Sequence, residues 1–205
     1  MTTILAIKSS ANGERSASNK LIEDLVELLR SAKDDLTLIE RDLDAVPIEH
    51  VTSQTLAGIG RSASITDETA VAQRLSDTLI AELKSADVVL IGAPMYNFGI
   101  ASTLKTWFDY VIRAGHTFQY SASGPQGLVQ SKPVVVFETR GGAYSENPTQ
   151  SADCQEPHLR LMLGLMGLRD VDFLRVEGLA LGEGPAKIAE GGRKAADLAS
   201  LARYR

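Results

Sequence analysis

Residues 87–100 read DVVLIGAPMYNFGI, and they are the strongest indication of the fold in the chain. Residues 87–93 form the most strand-like segment of the chain, because they are mostly apolar and rich in β-branched side chains. A short, nearly continuous apolar run is typical of a strand buried on both faces of a parallel sheet. Pro94 ends the run, since proline has no N–H to give to a neighbouring strand. The stretch therefore predicts a buried strand followed at once by a loop.

Four further strand-like segments lie on either side of this one, and helical patterns separate them. They are Thr3–Lys8, Leu36–Ile39, Pro133–Glu138 and Val171–Val176. Alternating strands and helices imply crossover connections and a parallel sheet with helices on both faces. We therefore predict one three-layer α/β/α domain over residues 1–205, with five strands in the order 2-1-3-4-5. Residues 42–65 form an irregular excursion to which the sequence assigns no role.

Composition and charge exclude several classes of protein. The 205 residues are 44% hydrophobic and 23% charged, which suits a sizeable core rather than a disordered chain. The net charge of −5 is opposite to the basic footprint of a nucleic-acid-binding domain. The N-terminus lacks a basic signal region, and no apolar run approaches the ~20 residues of a membrane span. We expect a cytoplasmic protein that binds neither nucleic acid nor membrane.

Neither disulfide nor metal chemistry is predicted. The chain has a single cysteine, Cys154, so no intrachain disulfide can form, and its polar surroundings indicate an incidental thiol. His50, His116 and His158 are scattered and lack the spacing of metal ligands.

Ligands of open parallel sheets bind beyond the carboxyl ends of the strands, where the strand order reverses. The loops after strands 1, 3 and 4 are therefore the candidate site. Loop 1 spans residues 9–19 and ends where a helix begins, and a helix N-terminus can bind a phosphate. Ser10, Ser16 and Ser18 add hydroxyl groups there. The alternative is that these serines only cap the helix.

Loops 3 and 4 predict a slot for a flat ligand. Residues 94–98 place large side chains around an amide, and two glycines in residues 139–142 let the backbone approach a ligand closely. The alternatives are an ordinary aromatic core and a glycine turn at a strand end. The chain has no G-x-G-x-x-G and no P-loop motif, so one phosphate and a planar ring favour FMN over NAD or FAD.

Several motifs in order along the chain resemble one family. They are K-S-S followed by S-x-S-N, A-P-M-Y-N-F, K-x-x-F-D at Lys105–Asp109, R-A-G-x-T-F-x-Y at Arg113–Tyr120, G-P-x-G-L at Gly124–Leu128, and R-G-G. This pattern is similar to the bacterial FMN-dependent NADH:quinone oxidoreductases and NADH-azoreductases of the flavodoxin-like fold.

The resemblance implies a homodimer with one tightly bound, non-covalent FMN per subunit and both sites at the interface. The residues it assigns to FMN are Ser10, Ser16, Ala17, Ser18, Pro94, Met95, Tyr96, Asn97, Phe98, Thr139, Arg140, Gly141 and Gly142. It places Phe98, Met162 and Tyr120 in the substrate pocket, with Tyr120 over the partner's flavin. Met162 departs from an aromatic that some relatives have, which leaves substrate preference open.

The implied chemistry belongs to the flavin, so no side chain is assigned as catalytic. NADH, or alternatively NADPH, passes a hydride to flavin N5, and a quinone or azo compound then takes two electrons in the same place. Such alternation predicts ping-pong kinetics. The competing interpretation is a flavodoxin-type FMN electron carrier that does not turn over with NADH.

Overall fold

The computed structural model describes residues 2–32, 35–60, 67–146 and 148–200, and a five-stranded parallel sheet forms its centre. The strands of the sheet are β1 (Thr2–Lys8), β2 (Leu36–Asp42), β3 (Val88–Pro94), β6 (Val134–Thr139) and β7 (Val171–Val176). Their order is β2-β1-β3-β6-β7. Every residue of β3 and β6 is buried, as their continuous apolar sequences require.

Helices cover both faces of the sheet. The helices α1 (Ala17–Ala32) and α5 (Gly184–Ala199) bury their apolar residues in one hydrophobic cluster on one face. The other cluster takes apolar residues from α2 (Asp67–Ser85), α3 (Ser102–Val111) and α4 (Gln155–Met166). The two clusters confirm the predicted three-layer α/β/α architecture. No helix within the residues that the structure describes is long and apolar enough to cross a membrane.

The predicted sheet is confirmed, but a hairpin was not foreseen. The hairpin pairs β4 (Phe118–Ser121) with β5 (Gly124–Gly127) in a separate antiparallel ladder. When these two strands are left out of the count, the order of the main sheet is the predicted 2-1-3-4-5. The sequence GPQG of β5 has neither alternation nor β-branched residues, so no pattern indicated a strand there.

The excursion after β2 packs over α2 and α3. Leu43 and Ile59 are buried in the same cluster as those helices. A Cβ at Gly58 would lie 2.1 Å from the carbonyl oxygen of Thr69, so the chain approaches α2 more closely than any side chain allows. Residues 61–65 of the excursion lie outside the described residues.

Candidate active site

A cleft of about 400 Å³ opens at the carboxyl edge of the sheet. It is formed by the loops after β1, β3, β6 and β7 and by the first turns of α1 and α5. Its walls are formed by Ser10, Asn12, Arg15, Ala17, Pro94, Met95, Tyr96, Thr139, Arg140, Gly141, Leu179, Ala180, Gly184, Pro185 and Ile188. The three loops that the sequence analysis singled out thus meet in one place.

The α1 end of the cleft is a helix N-terminus with open N–H groups. The Ser16 hydroxyl accepts a hydrogen bond from the Asn19 N–H at 3.1 Å, and the Ser16 carbonyl accepts the Lys20 N–H at 3.1 Å. Ser16 therefore caps the helix. The N–H groups of Ala17 and Ser18 precede these bonds and have no acceptor within the described part of the chain. Together with the helix dipole they favour an anion here.

A strained turn follows β3. The backbone groups of Tyr96 and Gly99 bond each other in both directions at 3.0 and 3.1 Å, and φ is +48° at Asn97 and +70° at Phe98. Positive φ at both central residues is the pattern of a type I′ turn, which glycine usually occupies. Two side-chain-bearing residues in this region store strain that surrounding contacts must hold, and such strain is common at functional sites.

Contacts from three other segments hold this turn. The Met95 N–H donates to the Thr139 carbonyl at 2.9 Å, and the Tyr96 hydroxyl accepts the Ala11 N–H at 3.0 Å. The Phe98 ring packs edge-on against Tyr144, with the ring centroids 6.0 Å apart. The turn is therefore joined to the loops after β1 and β6.

The glycine loop after β6 offers two further donors. The carbonyls of Gly141 and Gly142 accept the N–H groups of Ala180 and Gly178 at 3.0 and 2.9 Å. The N–H groups of both glycines bond no acceptor among the described residues. A Cβ at Gly142 would lie 3.1 Å from the Tyr144 ring, so a side chain there would push that ring aside. The loop therefore brings unpaired backbone donors to the site.

Arg140 lies in this loop, but its guanidinium does not reach the cleft. Its side chain is fully buried and binds Glu138, Asp153, Gln155 and Glu177. Burial raises the pKa of Glu138 to about 8, although the Arg140 charge acts in the opposite direction. Its side chain is therefore committed to this buried cluster, and the assignment of Arg140 to FMN stays a prediction.

The structure brings most of the predicted residues to the cleft but leaves some outside its walls. The residues that do not line it are Ser16, Ser18, Asn97, Phe98 and Gly142. All of them except Phe98 are next in sequence to a residue that does. Met162 is only 6% exposed and packs in the core, because α4 turns this face towards the sheet. Tyr120 is 79% exposed on β4 and does not line the cleft of its own chain.

Two residues of the R-A-G-x-T motif, Arg113 and Thr117, make structural contacts at the base of the hairpin that carries Tyr120. Arg113 is buried and donates to Ser76 at 2.9 Å and to Asp77, both on α2. The Thr117 hydroxyl accepts the Arg113 N–H at 3.0 Å. The motif thus fixes the hairpin to the domain.

One wall of the cleft was not predicted from the sequence. Asn12 and Arg15 lie within the predicted loop 1 but were not assigned to the ligand, whereas residues 179–188 follow β7 and open α5. The signal was available, because the loop after the fifth strand ends at the same edge of the sheet as the others. Pro185 marked the first turn of α5 but not its proximity to the ligand.

The fold and the cleft define a flavodoxin-like protein. The family model for the flavodoxin-like fold matches residues 2–199 of the chain. An FMN-dependent NADH:quinone oxidoreductase of Hyphomonas neptunium is 47% identical over 182 residues, which are 89% of this chain and 87% of the relative. One from Herminiimonas arsenicoxydans is 44% identical over 95% of this chain and 93% of the relative. The chain belongs to the FMN-dependent NADH:quinone oxidoreductase family, and the resemblance found in its motifs is confirmed.

Solved structures agree with this assignment. The azoreductase of Bacillus anthracis str. Sterne superposes with a TM-score of 0.87 and 30% identity, covering 97% of this chain and 99% of that one. An FMN-dependent NADH-azoreductase from Bacillus anthracis str. Ames Ancestor, solved in complex with FMN, has the same TM-score at 22% identity, covering 98% of each chain. At that identity the second likeness bears on the fold alone.

Proposed function

We propose that this chain binds FMN in the cleft and uses it to transfer two electrons from NADH to quinones and to azo compounds, which it cleaves reductively. One observation carries the proposal: a single cleft reaches an open helix N-terminus at Ala17, a strained aromatic turn at Tyr96 and a glycine loop with unpaired N–H groups at Gly141. The names of the quinone oxidoreductase relatives and of the azoreductase structure support the same activity.

The donors at the two ends of the cleft fit FMN. The phosphate is an anion, which suits the N–H groups of Ala17 and Ser18 and the nearby hydroxyl of Ser10. The ring has a polar edge, which suits the N–H groups of Gly141 and Gly142. Its flat faces suit the apolar wall that the loop after β3 provides.

Bound FMN supplies hydride transfer at its ring. The residues of the chain bind and orient that ring, and N–H donors from Asn97, Gly141 and Gly142 stabilise negative charge at its polar edge. One open face then serves NADH and the acceptor in turn, which gives ping-pong kinetics. NADH as the reductant also favours a cytoplasmic location.

A second copy of the chain completes the substrate side. Tyr120 and Phe98 are 79% and 51% exposed, which is unusual for large aromatic side chains, and Tyr120 does not reach the cleft of its own chain. In a homodimer, the hairpin of one subunit places Tyr120 over the cleft of the other. A fully active monomer by light scattering at micromolar concentration would contradict the shared site.

One anaerobic experiment tests the function. The protein is loaded with FMN and desalted, its visible spectrum is recorded, and NADH is added before menadione. We expect the flavin band to bleach and then to recover promptly. Retained FMN without bleaching, together with a stable semiquinone on photoreduction, would indicate a flavodoxin-type carrier. Failure to retain FMN would overturn the proposal.

A further inference from the structure

Arg140 is the centre of a buried cluster directly behind the cleft. Its Nε donates to Gln155 Oε1 at 3.0 Å and its Nη1 to Glu177 Oε1 at 3.0 Å. Its Nη2 lies 2.9 Å from both Glu138 Oε2 and Asp153 Oδ2. The guanidinium has no exposed surface, and these protein groups surround it. One side chain thus joins β6, the loop after β7 and the start of α4.

Two of its partners also form hydrogen bonds to the loops that line the cleft. The amide of Gln155 donates from Nε2 to the carbonyl of Ala93 at 2.8 Å, at the end of β3. Glu177 Oε1 also accepts the N–H of Tyr144 at 2.8 Å, in the loop after β6. The loop that carries the aromatic turn and the loop that carries the glycine donors are therefore tied to the same guanidinium.

A buried cluster of charges is not expected to make a large net contribution to stability. Desolvating several charges costs free energy that their mutual attraction recovers only with good geometry, and well-packed apolar residues often serve the core equally well. Arginine differs from an apolar residue, and from lysine, because its planar fork sets several partners at fixed directions. The cluster instead sets the relative positions of the segments it joins.

We propose that Arg140 is a positioning residue, which acts through Gln155 and Glu177 to hold the loops after β3 and β6 at the separation that a planar ring requires. That the ring belongs to FMN rests on the function proposed above. The side chain of Arg140 contributes no group to the ligand. Its effect falls on the ring end of the cleft and leaves the phosphate end at α1 unchanged.

The test compares Arg140→Lys with Arg41→Lys. Arg41 also forms a two-pronged pair, with Glu82, but it lies outside the cleft. Gln155→Met is a second variant that keeps every charge, and it decides the case if Arg140→Lys does not fold. Hydrogen exchange in the ligand-free protein and the dissociation constants of FMN and riboflavin are measured for each.

We expect Arg140→Lys and Gln155→Met to speed exchange in residues 93–99 and 139–146. Both variants should raise the dissociation constants of FMN and riboflavin by the same factor, about tenfold, as expected for lost buried hydrogen bonds. Arg41→Lys should change neither. Unchanged exchange in the two loops, or a loss confined to FMN, would overturn the positioning role. A third outcome separates the two proposals. If the wild-type protein binds no FMN but the two loops still exchange faster in the variants, the positioning role is supported and only the proposed function is overturned.

Discussion

The two ends of the cleft are built in different ways. At the α1 end the contacts are local, because Ser16 caps the helix and every hydrogen bond found for Ser16 joins it to a residue at most four positions away. At the ring end the contacts are distant in sequence, such as Met95 to Thr139 and Arg140 to Gln155. The comparison teaches that an anion site follows from one helix start, whereas a slot for a ring depends on packing among several strand ends.

The largest expected effect comes from placing a negative charge at the α1 end of the cleft, which should affect only a ligand that carries a phosphate. Ala17→Asp places a carboxylate at the first turn of α1, where it suits the helix dipole and leaves the fold intact. The same charge repels a phosphate, and two charges about 4 Å apart repel by ~4 kcal/mol near a protein surface. We therefore expect FMN to bind at least ~100-fold more weakly, while riboflavin binding is unchanged.

Fluorescence titration of both ligands measures this difference, and Ala17→Asn is the neutral control of equal size. Equal losses for FMN and riboflavin would show that Ala17 does not lie at the phosphate.

A smaller effect is expected from the turn at the ring end. Asn97→Gly removes the amide but keeps the turn, because glycine adopts the φ of +48° without strain. We expect the binding of FMN and of riboflavin to weaken equally, by about tenfold, as for one lost hydrogen bond to a charged edge. Thermal unfolding should show no loss of stability. A loss confined to FMN would move Asn97 to the phosphate end of the cleft.

The smallest effect concerns pH and the cluster behind the ring. Burial raises the pKa of Glu138 from 4.5 to about 8. The negative charges of Glu156 and Asp153 also raise this pKa, whereas the positive charges of Arg140 and Arg175 lower it. Between those pH values the folded state binds more protons than the unfolded state, so this carboxyl makes the free energy of unfolding fall as pH rises. Glu138→Gln should remove this decline.

Urea unfolding of wild type and Glu138→Gln at pH values from about 5 to about 9 measures that decline. Parallel curves for the two proteins would show that Glu138 does not titrate in this range.

What the sequence predicted follows the same division between local and distant contacts. The buried strands were visible because β3 and β6 are continuous apolar runs, and the start of α1 was visible because Ser16 precedes a helical pattern. Arg140 was assigned to the ligand because it belongs to the R-G-G motif that resembles the family. Only the folded chain shows that its side chain meets Glu177, since no local pattern reports a contact 37 residues away.

Met162 and the hairpin show the same limit. No pattern in the mostly apolar α4 indicates which of its faces meets the sheet, and the structure buries Met162 on that face. Residues 124–127 form a strand because they pair with residues 118–121, not because of their own preferences. Tertiary context decided both positions.

A crystal structure of the protein with FMN tests the central claim most directly. We predict phosphate density at the N–H groups of Ala17 and Ser18, and ring density between Tyr96 and Gly141. The side chain of Arg140 should remain in its buried cluster. Ring density at the α1 end, or a guanidinium turned out to contact the ligand, would contradict the account.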